Sequence, residues 1–491
     1  MNIPLSEKIN QCRIIEQIPL SLQSGRDIQI RFRDLAKKIK TDSKDLDKLQ
    51  KKIISNFIFG QLQNKFQPSW QIVFECIPEI ITKIDIQVWD ICSFFITLDY
   101  ENQTLLPYYD DLGLENETEF SDREIWTPLD KRLLSNYETC NNLCNNYNDI
   151  KNSLISFSES KLEKIEFNEF IRTQTIKLLI KIPSLAERNF KVILPYIIDE
   201  NIDEIEDDEG EDEDDENAKI IDKNSPLKNW SSNDRNLLIE LLTHFSKLNK
   251  VAKSDLVFEY LLKLLSNRAT KVQNLALNCL LNWHNPVYNK YKDNLKNLLD
   301  NTLFRDEVIL FLQSNNENII EDKDLDILMP IVLRILFGRA QTLKTSGNKQ
   351  GMRNAGIKVL SNLKDKYINE FLRLSYQKFF NSVDDLNTFL ASKLNVESIS
   401  ARLMKNMNGF INLNLEIFNI LGKSHPHCLS NLIEPLIYSL SISEYAISNS
   451  SEFEDDIIEK SARKNRQAGF KLLYDLTDSL GEEYKWNHLL L

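Results

Sequence analysis

Apolar side chains recur at helical spacing along most of this chain, and the clearest example is the segment 255–283. The first half of this segment carries one apolar stripe, formed by Val257, Leu261, Leu264 and Leu265. A short polar turn at 267–270 is followed by a second stripe, formed by Val272, Leu275, Ala276, Cys279, Leu280 and Trp283. Apolar residues three and four positions apart indicate a helix with one buried face. The pattern therefore predicts an antiparallel pair of helices that must pack against further neighbours to bury both stripes.

A short frame with the pattern Gly-apolar-x-x-Leu recurs, starting at Gly356, Gly409 and Gly469. The starts lie 53 and 60 residues apart, which is longer than the usual helical-hairpin repeat of about 40–47 residues. A glycine inside a helix costs about 0.5–1 kcal/mol relative to alanine, so its recurrence predicts a close approach of a neighbouring helix. The patterns together predict an all-α fold, an irregular α-solenoid of HEAT-like helical hairpins.

One acidic segment interrupts the predicted array. Residues 203–216 contain 12 acidic side chains and no basic one, which accounts for most of the net charge of -13. Such a run repels itself and has little apolar surface to bury. We therefore predict a disordered acidic loop at 201–226, with the N-terminal part of one solenoid at 1–200 and its C-terminal part at 227–491.

The composition narrows the class of protein further. Only 12 Gly and 13 Pro occur in 491 residues, which disfavours glycine-rich nucleotide loops and favours helices joined by short polar turns. The seven cysteines are scattered and odd in number, as expected for thiols that pack as small apolar groups in a reducing compartment. No apolar run approaches the roughly 18 residues of a transmembrane helix, so no membrane partner is expected.

A basic segment at 327–364 stands out because it contains seven Lys or Arg residues and no Asp or Glu. Uncompensated positive charge attracts a polyanion such as RNA. We predict a basic loop near 338–353 and contacts to RNA phosphates without base readout. The candidate RNA-binding residues are Arg334, Arg339, Lys344, Lys349, Arg353 and Lys358. The alternative is a solvated loop whose cations pair with carboxylates elsewhere in the fold.

The sequence does not predict catalysis, and we expect no enzyme activity, no cofactor and no small-molecule substrate. Gly347 and Gly351 do not form a phosphate-binding loop, because their spacing is too short and the hydroxyl residue is missing. The sequence His425-Pro426-His427-Cys428 is metal-like, but a loop or helix cap is the favoured interpretation. No resident metal is therefore predicted.

Several segments together resemble the down-regulated-in-metastasis (DRIM) family. The similar segments are Trp230–Arg235, Ser266–Ala276, Leu328–Arg339 and the basic stretch that continues to Arg353. Proteins of this family are very large HEAT-repeat proteins of the small-subunit processome and are associated with the U3 small nucleolar RNA. The resemblance spans about residues 50–480 and corresponds to an internal part of a family chain that is several times longer.

The resemblance implies a nucleolar, non-enzymatic scaffold of small ribosomal subunit biogenesis. Its implied partners are pre-rRNA, U3 snoRNA and other processome proteins during 18S rRNA maturation. Two alternatives remain, a nuclear transport receptor that carries basic cargo and the helical-repeat scaffold of a large kinase or phosphatase complex. Concentration of the carboxylates in one segment counts against the first alternative, and the basic segment 327–364 counts against the second.

Overall fold

The computed structural model describes ten segments of the chain. These are residues 7–42, 46–97, 169–198, 230–312, 320–341, 347–380, 399–422, 424–450, 453 and 456–480. The predicted acidic loop at 201–226 lies outside them. Every regular element in the described segments is helical, and none of these helices is both long and apolar enough to cross a bilayer.

The described residues form two compact units that adjoin along the chain at Ser254 and Asp255. The helices of the first unit are α1 Glu7–Glu16, α2 Gly25–Thr41, α3 Lys48–Gln63, α4 Gln67–Thr97, α5 Glu169–Lys181, α6 Pro183–Arg188, α7 Phe190–Ile197, α8 Ser232–Thr243 and a 3-10 turn at Leu248–Lys250. Helix α4 packs against α2, α3 and α5, and α8 packs against α5 and α7.

The second unit begins with the two helices that the sequence predicts at 255–283. Its helices are α9 Ser254–Leu265, α10 Thr270–Leu281, α11 Pro286–Lys290, α12 Lys292–Asn297, α13 Phe304–Leu312, α14 Asp322–Ala340, α15 Gly347–Leu360, α16 Asp365–Tyr376, α17 Ala401–Leu421, α18 Pro426–Leu429, a 3-10 turn at Ser430–Leu432, α19 Ile433–Ser448 and α20 Asp456–Leu480. Helix α14 packs against α15 and α16, α17 packs against both of these, and α20 packs against α17 and α19.

Within each unit, helices pack against helices that are near them in sequence, which is the packing of an α-solenoid. In α9 and α10, the predicted stripe residues Val257, Leu261, Val272 and Leu280 are fully buried. Leu275 and Trp283 are only half-buried. The predicted fold class, an all-α helical-repeat protein, is therefore confirmed.

The cysteines of the described segments are core residues. Cys12, Cys76, Cys92, Cys279 and Cys428 are all buried and free of disulfides. Burial raises the pKa of Cys12 to about 12 and that of Cys76 to about 11. The thiols of Cys12 and Cys76 are therefore protonated at neutral pH and pack as small apolar groups.

The last turn of α14 makes a close contact with the turn between α9 and α10 and with the first turn of α10. A Cβ at Gly338 would overlap the side-chain amide of Gln273 and the backbone carbonyl of Asn267. Gln273 itself is buried, and its Nε2 donates to the carbonyl of Leu265 at 2.7 Å and to that of Ile335 at 3.4 Å. Glycine at position 338 is thus required by packing, because two neighbouring polar groups occupy the space of a side chain.

The recurring Gly-apolar-x-x-Leu frame marks a close helix approach at only one of its three positions. A Cβ at Gly469 would lie 2.8 Å from Leu440 Cδ2. At Gly356 the nearest atom, Phe304 Cζ, would lie at an ordinary 3.6 Å, and at Gly409 no atom would lie within 4 Å. The prediction of close approach is confirmed at Gly469 and wrong at Gly409, whose face of α17 points to solvent.

The variant Gly338→Ala is expected to destabilise the second unit, since backbone or core side chains must move to admit the methyl group. Overpacking of this kind costs about 1–3 kcal/mol. The matched control is Gly409→Ala, which adds a methyl group to an open helix position and should stabilise by about 0.5–1 kcal/mol. Thermal unfolding followed by circular dichroism measures both changes, and equal midpoints for the two variants would contradict this packing.

Candidate nucleic-acid interface

The predicted basic loop at 338–353 is largely helical. Residues 338–340 complete α14, and residues 347–353 form the first part of α15. Lys344 lies outside the described residues, and Lys349 lies in α15 with a side chain outside the described set. The predicted RNA-binding residues whose side chains are described are Arg334, Arg339, Arg353 and Lys358.

Arg334 lies on α14 and is directed to groups of the protein. Its Nη1 donates to the carbonyl of Pro330 at 2.8 Å and lies 3.7 Å from Glu370 Oε1 on α16. Burial lowers the pKa of Arg334, while the charge of Glu370 acts in the opposite direction. The positive charge is thus balanced by a carboxylate from the next helix.

Arg339 is 3% exposed and joins the end of α14 to the start of α10 and to the connection between α12 and α13. Its Nη1 donates to Asn301 Oδ1 at 2.5 Å and to Thr270 Oγ1 at 3.2 Å. Its Nη2 donates to the carbonyl of Leu298 at 3.4 Å, and the guanidinium lies 5.4 Å from the ring centroid of Phe304. Burial lowers the pKa of Arg339 to about 10, so the group stays charged at neutral pH. The buried Arg339 side chain therefore holds the end of α14 to neighbouring parts of the second unit.

Arg353 is also buried, at 7% exposure. Its Nε lies 2.6 Å from Glu416 Oε2 on α17. The expectation of uncompensated surface charge is therefore wrong for the three arginines, because neutral acceptors and carboxylates distant in sequence surround them. Pairing with carboxylates elsewhere in the fold, the alternative interpretation, holds for Arg334 and Arg353. Contact of the six predicted residues with RNA stays a prediction.

Lys358 differs from the arginines because it lies on the exposed side of α15. Within the described residues, no carboxylate forms an ion pair with it. Of the predicted residues whose side chains are described, Lys358 is therefore the one accessible to a phosphate group.

Helix α20 presents a second exposed cationic surface, which the sequence analysis missed. Its solvent side carries three lysines and two large aromatic side chains. We call these residues the α20 face: Lys460, Lys464, Phe470, Lys471 and Tyr474. Phe470 is 57% exposed and Tyr474 is 71% exposed. Helical spacing brings all five residues within an arc of roughly 120° on one side of a helix.

The charges around the α20 face distinguish the lysines from the arginines of the same helix. Arg463 pairs with Glu459 at 2.6 Å, and Arg466 pairs with Glu444 at 3.1 Å. The three lysines form no ion pair with any residue in the described part of the chain. Three acidic residues lie on this side as well: Asp456 is four residues before Lys460, and Asp475 and Asp478 are four and seven residues after Lys471. Three lysines without an ion pair in the described residues and two accessible rings therefore lie together over about four turns.

The variant Arg339→Met is expected to lower the free energy of unfolding by about 2–4 kcal/mol, because buried acceptors lose their donor. Lys358→Met is the matched control on the neighbouring helix and should change stability by less than about 0.5 kcal/mol. Urea unfolding followed by tryptophan fluorescence measures both. If Arg339→Met leaves the free energy of unfolding unchanged, the guanidinium does not stabilise the packing of these helices.

Comparison with known proteins gives a consistent assignment. The family model described as "U3 small nucleolar RNA-associated protein 20, N-terminal" matches residues 229–490, which cover more than half of the chain. The chain is 34% identical over 490 residues to a Saccharomyces cerevisiae protein named U3 small nucleolar RNA-associated protein 20, covering 99% of this chain and 19% of that protein. It is 22% identical over 478 residues to the Schizosaccharomyces pombe protein of the same name, covering 95% of this chain and 18% of that protein.

The chain thus spans about a fifth of the length of the curated relatives it matches. The matched family region contains the α9–α10 pair, the buried arginines of α14 and α15, and the α20 face. The predicted resemblance to a U3 snoRNA-associated family is confirmed, and the chain belongs to the family of U3 small nucleolar RNA-associated protein 20.

Proposed function

We propose that this chain is a non-enzymatic scaffold of small ribosomal subunit biogenesis that acts in the nucleolus. Its proposed partners are pre-rRNA, the U3 snoRNA and other proteins of the small-subunit processome. Membership in the family and the names of the two yeast relatives support this proposal. The helical-repeat fold supports it as well, because stacked helices expose long surfaces on which several partners can bind.

The α20 face is the observation that carries the RNA-binding part of the proposal. Lysine ammonium groups attract phosphates, and this attraction does not depend on base sequence. Exposed aromatic rings stack on unpaired bases, with about 1–3 kcal/mol per base. Lys464 and Lys471 flank Phe470 on the same side of α20, so one single strand can contact both kinds of group. We therefore assign single-stranded RNA to this face.

The basic segment around α15 is a second proposed RNA contact, but fewer of its residues are candidates than the sequence predicts. Lys358 is exposed there. Lys344 and Lys349 stay predicted contacts to RNA phosphates. Arg334, Arg339 and Arg353 have protein partners. A loss of RNA binding after substitution of these arginines would therefore reflect altered packing as well as lost charge.

Replacement of Lys460, Lys464 and Lys471 by Ala is expected to weaken binding of the 491-residue chain to a single-stranded segment of 18S pre-rRNA. The slope of log K against log salt should become shallower by about two, since three phosphate contacts are lost. Replacement of Phe470 and Tyr474 by Ala should lower the affinity by about tenfold or more while it leaves the slope unchanged. Fluorescence anisotropy across a salt titration measures both quantities.

The matched control removes the same charge from the first unit. Lys65, Lys181 and Lys191 are exposed there, and their replacement by Ala should leave the affinity and the slope close to those of the unaltered chain. If this control variant and the α20 variant bind RNA equally well, the α20 face is not an RNA site.

A further inference from the structure

Three side chains that commonly bind metals meet in the second unit, although they come from two distant parts of the sequence. Asp365 is the first residue of α16, His425 immediately precedes α18, and Cys428 lies within α18. One ligand atom from each of the three lies within 4.8 Å of the others. Packing between α16 and α18 therefore assembles an oxygen, a nitrogen and a sulfur donor.

The hydrogen bonds of His425 suit a metal ligand. Its Nε2 lies 3.2 Å from the carbonyl oxygen of Ser361, and its Nδ1 lies 3.0 Å from Asp365 Oδ1. A carbonyl and an ionised carboxylate both accept hydrogen bonds, but a neutral imidazole has only one N–H. If Nε2 donates to Ser361, the lone pair of Nδ1 faces the carboxylate, and a cation between the two atoms removes this repulsion. Metal-binding histidines typically donate their other N–H to a carbonyl or carboxylate in this way.

Cys428 supplies the buried donor of the cluster. Cys428 is 2% exposed, and its Sγ lies 4.0 Å from the backbone carbonyl oxygen of Asp365. Burial, with the negative charge of Asp365 as a smaller cause, raises the pKa of this thiol to about 11. The neighbouring Lys366 pairs with Asp326 at 2.8 Å, so its ammonium group is engaged outside the cluster. A divalent cation at the cluster would supply the positive charge that a thiolate needs.

We propose that Asp365, His425 and Cys428 bind one Zn²⁺ ion. A thiolate combined with an imidazole selects zinc over magnesium or calcium, which prefer oxygen ligands. Three protein ligands leave the fourth tetrahedral position to water. On binding, the thiol of Cys428 releases its proton to solvent, and the ion joins α16 to α18 across the 60 residues that separate Asp365 from His425. The metal-like sequence at 425–428 thus acts with a carboxylate that sequence spacing did not reveal.

The test is metal binding by the 491-residue chain and its variants, with Zn²⁺ and Co²⁺ as the probes. After loosely bound metal is removed on a chelating resin, elemental analysis should find one Zn²⁺ per chain. Co²⁺ bound at the same site should give a thiolate-to-cobalt charge-transfer band. Asp365→Asn and His425→Gln should each weaken binding by about tenfold or more. Cys428→Ser should remove the charge-transfer band.

The adjacent His427 provides the matched control, because it is exposed and lies outside the cluster. His427→Gln should keep the zinc content and the cobalt spectrum of the unaltered chain. If Cys428→Ser does not fold, Asp365→Asn still decides, since the side chain of Asp365 is largely exposed. An unaltered chain without bound zinc would overturn the proposal, and so would unchanged affinity in Asp365→Asn and His425→Gln.

Discussion

Burial of apolar helix faces against neighbouring helices is the interaction on which the rest of this structure depends. Helix α14 is the extreme case, because nearly every residue from Leu328 to Ala340 is buried. A helix that is apolar on all sides requires neighbours on all sides. Any polar or charged side chain on such a helix must find a partner inside the protein. This requirement gives Arg334 and Arg339 their structural roles, and the same close packing leaves no space for a side chain at position 338.

The sequence was sufficient for the fold class, because that prediction rests on local periodicity. The α9–α10 pair follows from apolar spacing alone, and its predicted stripe residues are largely buried. The environment of the arginines was not predictable in this way. The partners of Arg339 lie 38 to 69 residues away along the chain, so the segment looks uncompensated when it is read locally. The apolar neighbours of Arg339, Phe337 and Ala340, were a signal of burial that net charge concealed.

The α20 face could have been predicted from the sequence, but only from a helical projection of its lysines and aromatic residues and not from net charge. Phe470 and Tyr474 are four residues apart, and Lys471 lies on the same side of the helix. Aromatic residues on a lysine-bearing face differ from aromatics on a buried stripe, and a helical projection separates the two. The three proposed zinc ligands could be predicted only in part from the sequence. The sequence contains His425 and Cys428 at helical spacing, whereas Asp365 joins them through the packing of α16 against α18.

In this protein buried cations hold helices together, and we propose that exposed cations contact RNA. Ultraviolet crosslinking of the unaltered chain to 18S pre-rRNA, with crosslinked peptides identified by mass spectrometry, tests this distinction without any substitution. We expect crosslinks in the peptide that contains Phe470 and Tyr474, and none at Arg339. Crosslinks at Arg339, together with an unmodified α20, would contradict this proposal.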